Sequence, residues 1–221
     1  MIKACIFDMD GVIVDTAVYH FQAWKRMADE LGFDLDEAFN EKLKGLSRVD
    51  SLEKILEEGD LVLDSMTKHK LMEKKNAWYL ELVEAMTPKD VLDGTIDFFE
   101  QLQSAKIKIA LGSSSKNARK ILELANLNSY FDVVVDGSMI TFSKPDPEVF
   151  LKGAAKLNIL PAEAVVFEDA IAGIEAAKSG GFAVVGIGDA ITLKGADFVV
   201  PSLKQMNLDL LRKFGSLAGD A

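Results

Sequence analysis

"FDMDGVIVDT", residues 7–16, sets three aspartates into ten residues directly behind the apolar run "ACIF" (4–7). Two of them, Asp8 and Asp10, are separated by one residue. Like charges about 4 Å apart repel by roughly 4 kcal/mol at an effective dielectric near 20. An acid at the end of a strand is often only a turn former or a helix N-cap. An EF-hand loop is excluded, because Gly11 follows the second acid directly instead of standing further on. The meaning of the pair depends on what the rest of the chain brings to it.

Working outward, residues 2–7 read as a strand, and from about 17 to 87 the pattern turns helical. "FQAWKRMADEL" (21–31) puts Phe21, Trp24, Ala28 and Leu31 on one face, and "LMEKKNAWYLELVEAM" (71–86) repeats Leu71, Trp78, Leu82 and Met86. From residue 91 short Val/Ile-rich runs alternate with helical segments: "IKIALG" (107–112), "DVVVDG" (132–137), "AVVFED" (164–169), "FAVVGIG" (182–188) and "DFVV" (197–200). Near-continuous apolar strands separated by helices predict an α/β fold, a Rossmann-like parallel sheet with helices on both faces. The economical layout is a core domain of residues 1–16 and 88–221, interrupted after its first strand by an α-helical cap domain, 17–87. Thr87 fits the second boundary, because the residue before Pro88 is disfavoured in a helix.

The chain has 221 residues, long enough for a substantial core, with 25 Lys plus Arg against 35 Asp plus Glu and a net charge of −10. That balance disfavours non-specific binding to nucleic acid or to anionic membrane, and neither is expected as a partner. A phosphate ligand would need locally placed cations, backbone N–H groups or a metal. Cys5 is the sole cysteine, so no disulfide forms within the chain, which suits a reducing, cytoplasmic setting. The first apolar run is too short for a signal peptide, and no stretch reaches membrane-spanning length. No long exposed apolar stripe calls for a partner chain, so a monomer is expected.

In open α/β sheets ligands collect at the carboxyl ends of the strands. Asp8 and Asp10 follow the first strand, "SSSKN" (113–117) follows "IALG", Glu168 and Asp169 follow "AVVF", and "SKPDP" (143–147) precedes the helix "EVFLKGAAKL". Each segment alone has a bland reading: a solvated serine loop, an acidic helix cap, a lysine before a proline. Those readings do not account for all four at strand ends in this order.

"DMDGVIVDT", "LGSSS", "SKPDPEVF" and "VFEDAIAGIEAAKSGG" resemble, in order and spacing, the four motifs of the haloacid dehalogenase-like phosphotransferases, and the helical insert resembles that family's cap. The resemblance covers residues 1–20 and 90–200. It implies that Asp8 is a nucleophile forming an aspartyl-phosphate, and that Asp10 is the general acid/base. One Mg²⁺ per chain would be held by Asp8, Asp10 (through its carbonyl) and Asp169, with Glu168 in or near the shell. Ser113 and Lys144 would meet the transferring phosphoryl oxygens. A carboxylate suits the first role because it is ionised at neutral pH and attacks without prior deprotonation.

"TAVYHFQAW" (16–24), "LKGLSRVDS" (43–51) and "SSSKN" are in turn similar to the sugar phosphomutases of the family. That likeness implies a sugar phosphate substrate, β-glucose 1,6-bisphosphate as activating intermediate, and a second phosphate site distant from Asp8. Arg48 offers that site a bidentate fork, and Ser115, Lys116 and Asn117 add donors from the core side. Thr16 leads into the cap, and His20 would contact Asp10 and the sugar. Gly11 permits a tight exit from the motif, and Gly45, with Leu46, a close backbone approach to the sugar. Trp24, Lys44, Ser51 and Lys75 would line the cap side. Other readings stand beside these: Trp24 as core packing, Lys75 as a solvated residue, Arg48 as a surface partner of Asp50. Gly112 and Ser114 stand where alanines are common, and "EDA" replaces the frequent "EDS". A sugar-phosphate phosphatase on the same core remains an alternative, as does a non-catalytic binder of phosphorylated metabolites.

Overall fold

The computed structural model describes residues 1–217; residues 218–221, counted above with the core segment, lie outside the described residues. Six strands form a single sheet: β1 (Ala4–Phe7), β2 (Lys108–Gly112), β3 (Val133–Val135), β4 (Ala164–Glu168), β5 (Ala183–Ile187) and β6 (Phe198–Val200). Their order is β3-β2-β1-β4-β5-β6 and every pairing is parallel. All six expected runs form strands. β3 keeps only three residues of its run, because Asp136 and Gly137 leave the ladder to turn beneath the serine loop, where Gly137 N–H donates to the Ser115 carbonyl at 3.1 Å.

Four helices separate β1 from the rest of the chain: α1 (Ala17–Leu31), α2 (Glu37–Asn40), α3 (Arg48–Glu58) and α4 (Ser65–Val83). Side-chain caps set three of these starts: Asp36 accepts from Phe39 N–H at α2, Ser47 from Asp50 N–H at α3, and Asp64 from Thr67 N–H at α4. α1 ends at Gly32, whose φ of 93° is the left-handed stop that glycine adopts without strain. α1 and α4 pack together; of the stripes read from the sequence Trp24, Ala28, Trp78 and Met86 are buried, with Met27 and Tyr79 beside them, while Phe21, Leu31, Leu71 and Leu82 are only partly covered. This helical cap stands over the carboxyl edge of the sheet.

The remaining helices, α5 (Thr95–Ser104), α6 (Ala118–Leu124), α7 (Glu148–Leu157), α8 (Ile171–Ser179) and α9 (Leu208–Leu217), flank the sheet. Alternate residues of each strand feed opposite faces, the period-2 rule of a pleated strand. Phe7, Ile109, Leu111 and Phe167 join Phe98, Phe99 and Ile121 on one face; Ile6, Ala110, Val166 and Val184 join Phe150, Ile174 and Ala177 on the other. Phe7 and Phe167, paired across neighbouring strands, stack at 4.6 Å between ring centres. This packing fixes the backbone on which the next residues, Asp8 and Glu168, are mounted.

Candidate active site

The strand order reverses between β1 and β4, and such a switch point is where open α/β sheets place their ligands. Asp8 follows β1 with its N–H on the Phe167 carbonyl at 2.9 Å, Glu168 ends β4, and Ser113 follows β2. Lys144 arrives from the loop before α7. Its Nζ lies 2.5 Å from Asp8 Oδ1 and 2.6 Å from Glu168 Oε1, and the side chain is wholly enclosed. Burial alone would lower the Lys144 pKa, but the Asp8 and Glu168 carboxylates outweigh it and hold the ammonium charged. Glu168 is raised by its own burial, with Lys144 opposing, and also accepts the Ala170 N–H at 2.8 Å.

Oxygen atoms of Asp8, Glu168 and Asp169 lie within 4.8 Å of one another. Asp169 is pushed well above the usual carboxylate range by burial, then by Glu168 and Asp8, with only Lys44 at 3.7 Å in partial compensation. An all-oxygen, mutually repelling set with a carboxylate raised in this way fits a hard divalent cation such as Mg²⁺. Gly11 makes the crowding sterically feasible. Its φ is +76°, and a Cβ there would stand 2.3 Å from Asp169 Oδ2.

Asp10 faces the cap. Its pKa is pushed up to about 6, by burial first and by Asp8 second, while a hydrogen bond from the buried Thr16 hydroxyl pulls the other way. His20 Nε2 is 4.0 Å from Asp10 Oδ2, and His20 Nδ1 is 2.8 Å from Lys75 Nζ. Burial, then Lys75 and Arg48, hold the imidazole neutral. With Nδ1 turned to Lys75, Nε2 is the ring nitrogen that faces Asp10. Lys75 is 1% exposed and lies over the rings of Trp24 and Tyr79, which sets aside its reading as a solvated residue.

A cavity of about 520 Å³ joins these groups to the cap. Asp8, Asp10, Ser113, Ser115, Lys116 and Asp169 line it from the core, and His20, Trp24, Lys44, Gly45, Leu46, Arg48, Ser51 and Lys75 from the cap. Trp24 is therefore both packed in the helical core and presented to the cavity. Thr16, Lys144 and Glu168 reach the lining carboxylates from behind, and Gly11 lies beneath Asp169. Gly45, with φ +74°, would bring a Cβ to 3.2 Å from Ala170, so its close approach is to the core loop after β4. Asn117 is outside the lining: its side-chain amide donates to Asn76 Oδ1 at 2.9 Å.

Arg48 does not pair with Asp50. Its Nη2 donates to the same Asn76 Oδ1 at 2.6 Å, and no carboxylate pairs with it among the described residues. Asp50 instead accepts from the hydroxyls of Ser47 and Ser143. The Ser143 and Asn117 bonds, with Ser114 Oγ on the Gly45 carbonyl at 3.0 Å, tie cap to core. Sequence reasoning passed over Asn76, Asp50, Ser114 and Ser143 in these roles. For Ser143 the one signal was its place beside Lys144, and Asn76 carries none at all.

The family model of haloacid dehalogenase-like hydrolases matches residues 2–181. The chain is 44% identical over 213 residues to a β-phosphoglucomutase of Bacillus subtilis, covering 96% of this chain and 94% of that protein. It is 36% identical over 183 residues to a phosphorylated carbohydrates phosphatase of Thermotoga maritima, covering 81% and 82%. A solved structure of β-phosphoglucomutase from Clostridium difficile superposes with a TM-score of 0.94 at 40% identity, covering 98% of each chain.

Proposed function

The chain belongs to the haloacid dehalogenase-like hydrolase family, and on that premise we propose that it is a β-phosphoglucomutase, interconverting β-D-glucose 1-phosphate and D-glucose 6-phosphate through β-glucose 1,6-bisphosphate. The observation that carries the proposal is that one cavity is lined by two sets of phosphate-binding groups. Asp8 and Ser113 line one part, backed by Lys144, and the guanidinium of Arg48, free of any carboxylate partner among the described residues, lines the same cavity with Ser115 and Lys116. A hydrolase acting on one phosphate needs only the first set; a sugar carrying two phosphates uses both.

Asp8 is the nucleophile. Lys144 occupies Oδ1, which leaves Oδ2 to attack phosphorus while Lys144 and Ser113 meet the phosphoryl oxygens. Mg²⁺, one per chain, would be held by the Asp8 and Asp169 side chains and the Asp10 carbonyl, with Glu168 adjoining, and would offset the charge of carboxylate and phosphate. Phosphorylated Asp8 gives its phosphoryl group to the 6-hydroxyl of β-glucose 1-phosphate, and the Asp10 carboxylate takes that hydroxyl's proton. The bisphosphate then reorients. Asp8 attacks the phosphorus on O1, the P–O1 bond breaks, and Asp10 returns the proton to O1, leaving glucose 6-phosphate and phosphorylated Asp8. Thr16 and His20 orient the Asp10 carboxyl. Residues 17–87 act as a cap moving about hinges near 16 and 87, which excludes water that would otherwise drain the aspartyl-phosphate.

The test is a coupled assay with Mg²⁺, β-glucose 1-phosphate and a trace of β-glucose 1,6-bisphosphate. Glucose 6-phosphate without inorganic phosphate is expected. Dominant phosphate release would favour a sugar-phosphate phosphatase, the activity named for the Thermotoga maritima relative.

A further inference from the structure

Asn76 has a position that the function above does not use. It lies on α4, directly after Lys75, and its Oδ1 accepts two hydrogen bonds, from Arg48 Nη2 at 2.6 Å and from Asn117 Nδ2 at 2.9 Å. The guanidinium has only donors, so the atom facing it is the carbonyl oxygen and the amide's orientation is settled. Asn117 stands at the N-cap of α6, where an asparagine commonly turns back on its own helix; here it makes no such cap, and its amide goes across to Asn76. One neutral oxygen thus joins the cap's arginine to the core loop that also carries Ser115 and Lys116.

We propose that Asn76 is a positioning residue for the distal phosphate: it fixes the Arg48 fork through a neutral acceptor and leaves the remaining guanidinium N–H groups and the full positive charge for the ligand. An arginine on a long flexible side chain loses rotamer freedom when ordered, and a partner that orders it beforehand removes that loss from binding. A carboxylate would order it equally well, but would take up both arms of the fork and cancel the charge the phosphate needs. A carboxamide orders the fork without neutralising it. Because the same oxygen also accepts from Asn117 of the core, the residue that orders the fork within the cap also ties cap to core, so distal-phosphate binding and cap seating share one side chain. This assignment rests on Arg48 holding the distal phosphate.

The experiment compares Asn76→Asp, Asn76→Ala and Arg48→Ala in half-saturation by β-glucose 1,6-bisphosphate, with melting temperatures recorded for each. Asn76→Asp keeps an acceptor for both donors and adds a charge. The expected order is a rise of roughly tenfold for Asn76→Asp, shrinking as salt screens the added charge, and a smaller rise of about threefold for Asn76→Ala. A tether without a charge requirement gives the reverse order, with Asn76→Asp near wild type and Asn76→Ala the worse, and that order overturns the proposal. Asn76→Glu supplies a second charged variant should Asn76→Asp fold poorly. In the Arg48→Ala background the charge added by Asn76→Asp should lose most of its effect; an undiminished effect counts against action through Arg48. If Arg48→Ala itself leaves half-saturation unmoved, it is the distal-phosphate reading that fails, separately from the role of Asn76.

Discussion

Lys75 Nζ sits 2.8 Å from His20 Nδ1, a hydrogen bond between a buried lysine and a neutral imidazole with no carboxylate ion pair on the lysine among the described residues. The groups facing it are Asp10 behind β1, His20 and Trp24 on α1, Arg48 on α3 and Tyr79 on its own helix. Burial, and then Arg48, push the Lys75 pKa well below its usual value, against a weaker pull from Asp10.

A group whose pKa falls on folding binds fewer protons in the native protein than in the unfolded chain, so it makes stability rise with pH between the two pKa values. Lys75→Met removes that dependence. The variant's melting temperature relative to wild type should be most favourable at pH 7 and become less so toward pH 10, by about 2–4 °C for each kcal/mol involved. The loss of His20's donor adds a pH-independent offset, so the slope is what matters. Thermal melts at pH 7, 8.5 and 10 check this, and a flat difference across them would mean that Lys75 is not held at a lowered pKa.

Lys144 carries the opposite balance, because two carboxylates meet it in the enclosed space behind the cavity. Lys144→Met leaves Asp8 and Glu168 facing one another without their cation. Removing one member of a buried charged set costs about 3–5 kcal/mol, so the metal-free variant should melt far below wild type, and turnover should fall by at least about a thousandfold. Lys144→Arg, which keeps the charge but not the compact shape, should recover stability better than activity. Equal recovery of both would show that the site needs a charge there and not this geometry.

The contrast between these two lysines shows what the sequence made legible. β1, β4 and the residues after them could be read because apolar runs of strand length are local patterns, and four polar segments at strand ends had one chemical explanation. Lys144, bland by itself before a proline, takes its role from the family resemblance those four segments carry. Lys75 is not legible in this way, since its burial comes from Trp24 and Tyr79 arriving from α1 and from one turn further along α4. Arg48 stood two residues from Asp50 in sequence, yet the partner it takes is 28 residues away. Asp50 in turn meets Ser143, at a separation of 93. Contacts set by the packing of cap helices on one another and of cap on core leave no periodicity or spacing for the sequence to display.

Divalent metal should be visible without any activity measurement. Asp8, Glu168 and Asp169 repel one another, and a cation that binds only the native protein stabilises it by mass action, about 2.7 kcal/mol at a hundredfold excess over Kd. Saturating Mg²⁺ should raise the melting temperature by roughly 5–10 °C, and Asp169→Asn should abolish most of that rise. Gly11→Ala gives a steric counterpart, because its Cβ would meet Asp169 Oδ2 at 2.3 Å and the backbone there has φ +76°. A weakened Mg²⁺ response in Gly11→Ala with the metal-free fold retained is the expected result; an unchanged Mg²⁺ titration would show that Asp169 moves aside without leaving the metal.

Ser143 links the cap to the loop that carries Lys144, since its hydroxyl donates to Asp50, which also receives Ser47 Oγ at 2.6 Å at the start of α3. On the proposed mechanism this bond helps hold the cap down, and Ser143→Ala would shift the balance toward open states in which water reaches a phosphorylated Asp8. A half-exposed hydrogen bond to a carboxylate is worth about 1 kcal/mol, so inorganic phosphate released per glucose 6-phosphate formed should rise about fivefold. The competing explanation is that Ser143→Ala disturbs its neighbour Lys144. A double-mutant cycle with Asp50→Ala separates the two. Both single changes break the same bond, so their effects on the phosphate-to-mutase ratio should be strongly non-additive. Additive effects would place the action of Ser143 on Lys144, and the cap would then be held by the Ser114–Gly45 and Asn117–Asn76 bonds without it.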